Sequence, residues 1–229
     1  MLHGFTGAPS SVRSVADAFA AEGFDVELPV LPGHATSVAD MLPTRWGDWS
    51  QAVEQAYELL AERCERIVVA GLSMGGTLTL WTALNHPEVA AAICVNPAAQ
   101  PQPGEVVAML DDLLAQGVEV MPAIGSDIAA PGVVEEAYAE TPVAPLRSLL
   151  SDGVAPLAQR YGTARVPLLL FTSRQDHVVD PAQSDFLAER WAAPVERVWL
   201  ERSFHVATQD FDQDVIAHRA VEFARRHLA

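Results

Sequence analysis

Gly71-Leu72-Ser73-Met74-Gly75 sets a serine between two glycines in the pattern G-x-S-x-G. The apolar run Arg66 to Ala70 leads into it, short and unbroken as strands buried on both faces of a parallel sheet are, and a helical period over 77–85 follows. A serine at so tight a strand-to-helix turn stands exposed, with glycines on either side to avoid clashes. The alternative reading of such a turn is an ordinary N-capping serine. If Ser73 is a nucleophile, its hydroxyl is weak at neutral pH and needs a base to take its proton and a third group to orient that base.

In a strand–helix architecture of this type both partners come later, in the order acid then histidine, from loops at the carboxyl ends of strands. The strand-like run 167–172 (PLLLFT) leads to Asp176, the preferred acid. Asp180 is the competitor, but Asp180-Pro181 reads as the N-cap of the next helix. The run 195–200 (VERVWL) leads to His205, the candidate base. His218 and His227 fall on the C-terminal helix, His86 ends a helix, and His177 is sterically tied to Asp176. The oxyanion formed on attack needs two fixed backbone N–H donors, worth about 3 kcal/mol each. Met74, just after the serine, should give one, and Phe5 in the Gly-rich turn His3-Gly4-Phe5-Thr6-Gly7 the second.

The elements that must hold these residues alternate in type. Ser10 or Ser11 is the expected N-cap of a helix carrying Val12, Val15, Ala16, Phe19 and Ala20, with Gly23 as its stop. Phe24–Leu31 is strand-like, and a second helix is expected over about 45–62 with Trp46, Trp49, Val53, Ala56, Tyr57 and Leu60 on one face. Buried strands at 66–70, 90–95, 167–172 and 195–200, with helices at about 181–191 and 211–228, make βαβ units and a mostly parallel sheet: an α/β protein. Between Asn96 and Arg165 the rhythm breaks into a helix-prone, proline-punctuated stretch. The expected organisation is therefore a core of 1–96 and 165–229 with an inserted cap, 97–164, too short to be an independent domain.

The chain has 229 residues, half of them apolar, enough for one sizeable core. Its 14 basic residues are all arginine and face 30 acidic ones, a net charge of −16 that disfavours nucleic acid and anionic membrane surfaces as partners. Cys64 and Cys94 do not resemble a disulfide framework and are expected to be reduced thiols. Neither a membrane-spanning apolar run nor a signal-peptide pattern opens the chain, so a cytoplasmic protein is expected, without stable membrane insertion. No His/Cys/Asp cluster has ligand spacing, so neither metal nor cofactor is expected.

With Leu2 to Gly7, Gly71 to Gly76, Asp176-His177-Val178-Val179 and Ser203 to Thr208 taken together, the chain resembles the small bacterial monoacylglycerol lipases and related carboxylesterases of the α/β-hydrolase fold. The resemblance covers nearly the whole chain. It implies a triad of Ser73, Asp176 and His205, an oxyanion hole at Phe5 and Met74, and a small cap in which Ile124 lines an acyl tunnel and Glu135 meets glycerol hydroxyls. For that last role Glu136 is the adjacent alternative, and Glu135 can also be read as a solvated helix residue. Family members begin some two dozen residues earlier, with a strand leading into the His3–Gly7 turn, so part of that central strand is expected to be missing here. The chain also departs at Gly33-His34-Ala35, where the family usually reads Gly-His-Gly, a change expected to matter only if that backbone takes a positive φ.

The expected activity is hydrolysis of monoacylglycerols, or of other esters with an apolar acyl chain, by a monomer or homodimer. A short- to medium-chain carboxylesterase without glycerol preference is the main alternative. Amide, thioester or lactone substrates and a non-catalytic binding protein are more distant ones, and Ser73 excludes an aspartate-nucleophile dehalogenase or epoxide hydrolase.

Overall fold

A computed structural model of the chain describes residues 1–228. In chain order the helices are α1 (Arg13–Ala21), α2 (Val38–Met41), α3 (Trp46–Ala61), α4 (Met74–Asn85), α5 (Gly104–Ala115), α6 (Val143–Ser148), α7 (Ala155–Ala158), α8 (Ala182–Arg190) and α9 (Gln213–Leu228). The strands are β1 (Val68–Leu72), β2 (Ala91–Val95), β3 (Val120–Pro122), β4 (Glu140–Pro142), β5 (Leu168–Ser173) and β6 (Val195–Leu200). The main sheet has the order β1-β2-β5-β6, all parallel, with Val69 opposite Ala92, Ile93 opposite Leu169 and Phe171 opposite Val198. β3 and β4 pair antiparallel as a separate ribbon.

Side chains along the strands alternate between two apolar layers, as the pleat requires. Ala91, Ile93, Leu169 and Phe171 face α1 and α9 through Val15, Phe19, Ile216 and Phe223. Ala92, Cys94, Leu168 and Leu170 face the other side, packing with Trp49 and Val53 of α3, Leu78 of α4 and Leu187 of α8. Each large side chain so buried stabilises the fold by roughly 1.5–3 kcal/mol. This double burial is why β1, β2 and β5 read as continuous apolar runs.

Two local expectations fail. Phe24–Leu31 forms no regular strand. It lies beside Met1–His3, where the terminal amino group donates to the Glu27 carbonyl at 2.7 Å and the Leu31 N–H to His3 Nε2 at 3.1 Å. Leu2 itself bridges to Gly71 on the outer edge of β1. Nor does Ser10 or Ser11 cap α1, because the Ser11 hydroxyl donates to the Ala8 carbonyl at 2.9 Å and the Ser10 hydroxyl to Glu136 at 2.9 Å. A 3₁₀ turn over Pro9–Val12 precedes the helix instead, and Gly23, at φ +86°, stops it as expected.

The segment between β2 and β5 contains α5, the β3–β4 ribbon, α6, a π-helical turn over Leu149–Val154, and α7. Its later part shares the main core through Leu149, Val154, Leu157 and Tyr161. Gly153 packs so closely on Trp46 that a Cβ there would meet the indole at 2.5 Å. Residues 131–139 are not helical. Among the described residues, no helix is long and apolar enough to cross a membrane.

Candidate active site

Ser73 follows β1 and stands at the position before α4 with φ +57° and ψ −119°, a region that side chains rarely enter. The turn is tight because two backbones cross it. A Cβ on Gly71 would lie 2.1 Å from the Gly75 carbonyl oxygen, and one on Gly75 would lie 2.1 Å from that of Leu2. Both glycines of the motif are therefore steric requirements. The Ser73 N–H donates to the Val95 carbonyl at 3.0 Å, whereas the side chain makes no capping bond and faces a cavity. The N-cap alternative does not hold.

His205 lies on the loop after β6, with its ring lining the same cavity. Its Nδ1–H donates to Asp176 Oδ2 at 2.7 Å, with 8% of the histidine side chain and 1% of the aspartate side chain exposed. The other oxygen of Asp176 accepts the N–H groups of Val178 at 2.9 Å and Val179 at 2.7 Å, which fixes the carboxylate. Asp180 accepts the Ala182 N–H at the start of α8, where Pro181 stands at the cap position itself, and Asp176 is the partner of His205.

Beside Ser73, Gly4 and Phe5 line the cavity, with a Cβ on Gly4 coming 3.4 Å from the serine Cβ. Among the described residues neither the Phe5 nor the Met74 backbone N–H has an acceptor. His3 braces their turn from below. Its Nδ1–H donates to the Gly4 carbonyl at 3.0 Å while Nε2 accepts the Leu31 N–H, and burial pulls its pKa down to about 3, so the ring stays neutral.

The cavity has a volume of about 310 Å³ and its apolar lining includes Met121, Leu146, Leu149 and Leu150. Gln183 is a polar interruption, its amide oxygen accepting the N–H groups of Ala99 at 2.9 Å and Gln100 at 3.2 Å. Ile124 lines the cavity but is 70% exposed, which puts it at the opening. Glu135 is not the solvated helix residue it can be read as. It sits half-buried in a non-helical segment against the Gly7 turn, and burial raises its pKa while nearby His205 partly offsets the rise. Glu136 points outward and accepts from Ser10. The segment is anchored by the Tyr138 N–H donating to the Thr6 carbonyl at 3.1 Å and the Tyr138 hydroxyl donating to the Gly33 carbonyl at 2.8 Å. In that neighbouring turn Ala35 has φ +55°, the condition under which its departure from glycine matters.

Two buried polar residues that no motif marks in the sequence hold the two loops. Asn96, at the end of β2 with φ +45°, donates to the Ser173 hydroxyl at 2.9 Å and the His205 carbonyl at 2.8 Å, and accepts the Ser173 N–H at 2.8 Å. Asp212 accepts the N–H groups of Arg202 and Ser203 at 3.0 Å each. A polar residue at the carboxyl end of a parallel strand was the available signal for Asn96. Asp212 follows His205 with no spacing that announces it.

A parallel sheet covered on both faces, a serine on a strained turn after β1, and an Asp–His pair on the loops after β5 and β6 define an α/β-hydrolase. The family model "Serine aminopeptidase, S33" matches residues 1–212, and the chain belongs to that family of hydrolases. The chain is 39% identical over 230 residues to a thermostable monoacylglycerol lipase of Bacillus sp. (strain H-257), with 99% of this chain and 90% of the relative covered. It is 25% identical to a carboxylesterase of Bacillus subtilis (strain 168), covering 99% of this chain and 91% of that one. Among solved structures, one from work on LipS and LipT, two metagenome-derived lipolytic enzymes, superposes with a TM-score of 0.93 at 38% identity, covering 99% of this chain and 92% of the other.

Proposed function

We propose that the protein is a serine hydrolase that cleaves monoacylglycerols through an acyl-enzyme, with Ser73 as nucleophile, His205 as general base and acid, and Asp176 as the group that orients it. The carrying observation is the half-buried, strained Ser73 sharing one apolar cavity with a histidine that is fixed by a buried aspartate at 2.7 Å. His205 Nε2 takes the Ser73 proton as Oγ bonds to the ester carbonyl carbon. The oxyanion is held by the Phe5 and Met74 N–H groups. Collapse breaks the bond to the glycerol oxygen, which leaves with the proton from His205, and water then repeats the sequence to release the fatty acid and restore Ser73.

The segment 97–164 acts as the cap on a core of 1–96 and 165–229, with the acyl chain lying along its apolar residues. Each methylene buried there contributes about 0.8 kcal/mol. Glu135, on the cavity wall beside the Gly7 turn, accepts hydrogen bonds from the glycerol hydroxyls, and Ile124 packs on the acyl chain at the opening. The substrate is thus a small ester with an apolar acyl chain. Two cysteines that stand apart as free thiols favour a cytoplasmic setting.

The test is initial rates of wild type and Ser73→Ala on 1-monolauroylglycerol beside p-nitrophenyl esters of increasing length. Fast glycerol-ester cleavage lost in the variant is expected. Activity confined to short activated esters would favour the carboxylesterase instead, and full activity in the variant would refute the mechanism.

A further inference from the structure

The part of the segment nearest the site is stitched to the His205 loop from both sides. Asp127 Oδ2 accepts the backbone N–H of His205 at 3.0 Å and of His177 at 3.1 Å, and Oδ1 accepts the His177 Nδ1–H at 2.8 Å. The Val206 N–H returns a bond to the Asp127 carbonyl at 3.1 Å. From the loop side, buried Asp210 accepts the N–H groups of Ala129 at 2.7 Å, Ala130 at 3.0 Å and Phe204 at 2.9 Å. The Asp127 side chain is 10% exposed and lines the cavity that holds Ser73.

One carboxylate therefore joins His205 itself to the residue after Asp176, two loops that leave different strands. We infer that Asp127 is a positioning residue for the triad: it sets the spacing of the β5 and β6 loops so that the Asp176–His205 pair stands in register with Ser73. The stretch 127–130 then belongs to the rigid catalytic platform and not to a part that moves to admit substrate. Ester size should make no difference to this role, since Asp127 acts on the His205 backbone and not on the acyl chain. The inference rests on the triad reading above.

A misplacement of about 1 Å in a catalytic group can cost roughly a hundredfold in rate. Asp127→Ala is expected to lower kcat about 10- to 100-fold on p-nitrophenyl acetate and on 1-monolauroylglycerol alike, with KM within about threefold of wild type. Asp127→Asn keeps an oxygen for the two backbone N–H groups, and its amide N–H can serve the other tautomer of His177, so it should restore kcat to within about threefold. His177→Ala leaves the bond to His205 and should likewise stay within that range. Titrating reactive serine with a fluorophosphonate normalises each rate to folded enzyme, so lost stability does not imitate lost positioning. If Asp127→Ala does not fold, Asp127→Ser takes its place with the same expected outcomes. An unchanged kcat in Asp127→Ala, equal losses in the alanine and asparagine variants, or an equal loss in His177→Ala would overturn the inference. A Ser73→Ala enzyme that kept its activity would instead overturn the triad reading, whatever Asp127 did.

Discussion

Replacing Asp176 with asparagine exchanges one carboxylate oxygen for an NH₂ group and tests how the histidine is held. Oδ1 of Asp176 accepts two backbone N–H groups, so the carbonyl oxygen of an asparagine must occupy that place. Its NH₂ group then falls at the position of Oδ2, 2.7 Å from His205 Nδ1. Two donors cannot share that hydrogen bond, so His205 must lose its Nδ1 proton and carry one on Nε2, facing Ser73. In that tautomer it cannot accept the serine proton. The expected loss in kcat is roughly ten-thousand-fold, about 5.5 kcal/mol of transition-state stabilisation, with little change in KM. Because the bonds to Val178 and Val179 survive, the variant should fold, which a thermal melt would check. Steady-state kinetics on p-nitrophenyl butyrate, normalised to folded protein, give the answer. A fall of less than tenfold, or one expressed mainly in KM, would refute the assignment of Asp176 as the group that fixes the tautomer.

Glu135 offers a pH-dependent prediction. Its pKa is raised by burial, so the folded state binds this proton more tightly than the unfolded one, and its contribution to stability is present below the unfolded value of 4.5 and lost as pH rises through the higher folded value. Glu135→Gln should accordingly melt higher than wild type at pH 7, by a margin that shrinks toward pH 4, while losing preference for monoacylglycerols over simple alkyl esters. A constant margin across that range would contradict the linkage, and an unchanged preference would remove Glu135 from the glycerol site. At Ala35, φ +55° costs an L-residue roughly 1–2 kcal/mol, of which glycine returns about 0.4–1 to the unfolded chain as entropy. Ala35→Gly should therefore raise stability by up to about 1.6 kcal/mol, or a Tm gain of up to roughly 3–6 °C, and a clear loss by calorimetry would show that the methyl group packs usefully.

What the sequence by itself determined is what depends on neighbours along the chain. The strands β1, β2 and β5 are buried on both faces and so read as unbroken apolar runs, and the elbow at Ser73 declares itself through two glycines whose absent Cβ atoms make room for crossing backbone. Tertiary structure decided the rest, because it concerns partners distant in sequence. Whether Phe24–Leu31 becomes a strand depends on what lies beside it, and its bonds there run to the Met1 amino group and the His3 ring and do not form a backbone ladder. Which of Glu135 and Glu136 faces the cavity follows from where Tyr138 is tied to Thr6 and Gly33, more than a hundred residues earlier. Asn96 and Asp127 hold His205 by contacts spanning 109 and 78 residues, and no periodicity records such contacts. A buried carboxylate or amide is stable only where the folded chain brings donors to it, and that convergence arises only once the loops of the sheet lie side by side.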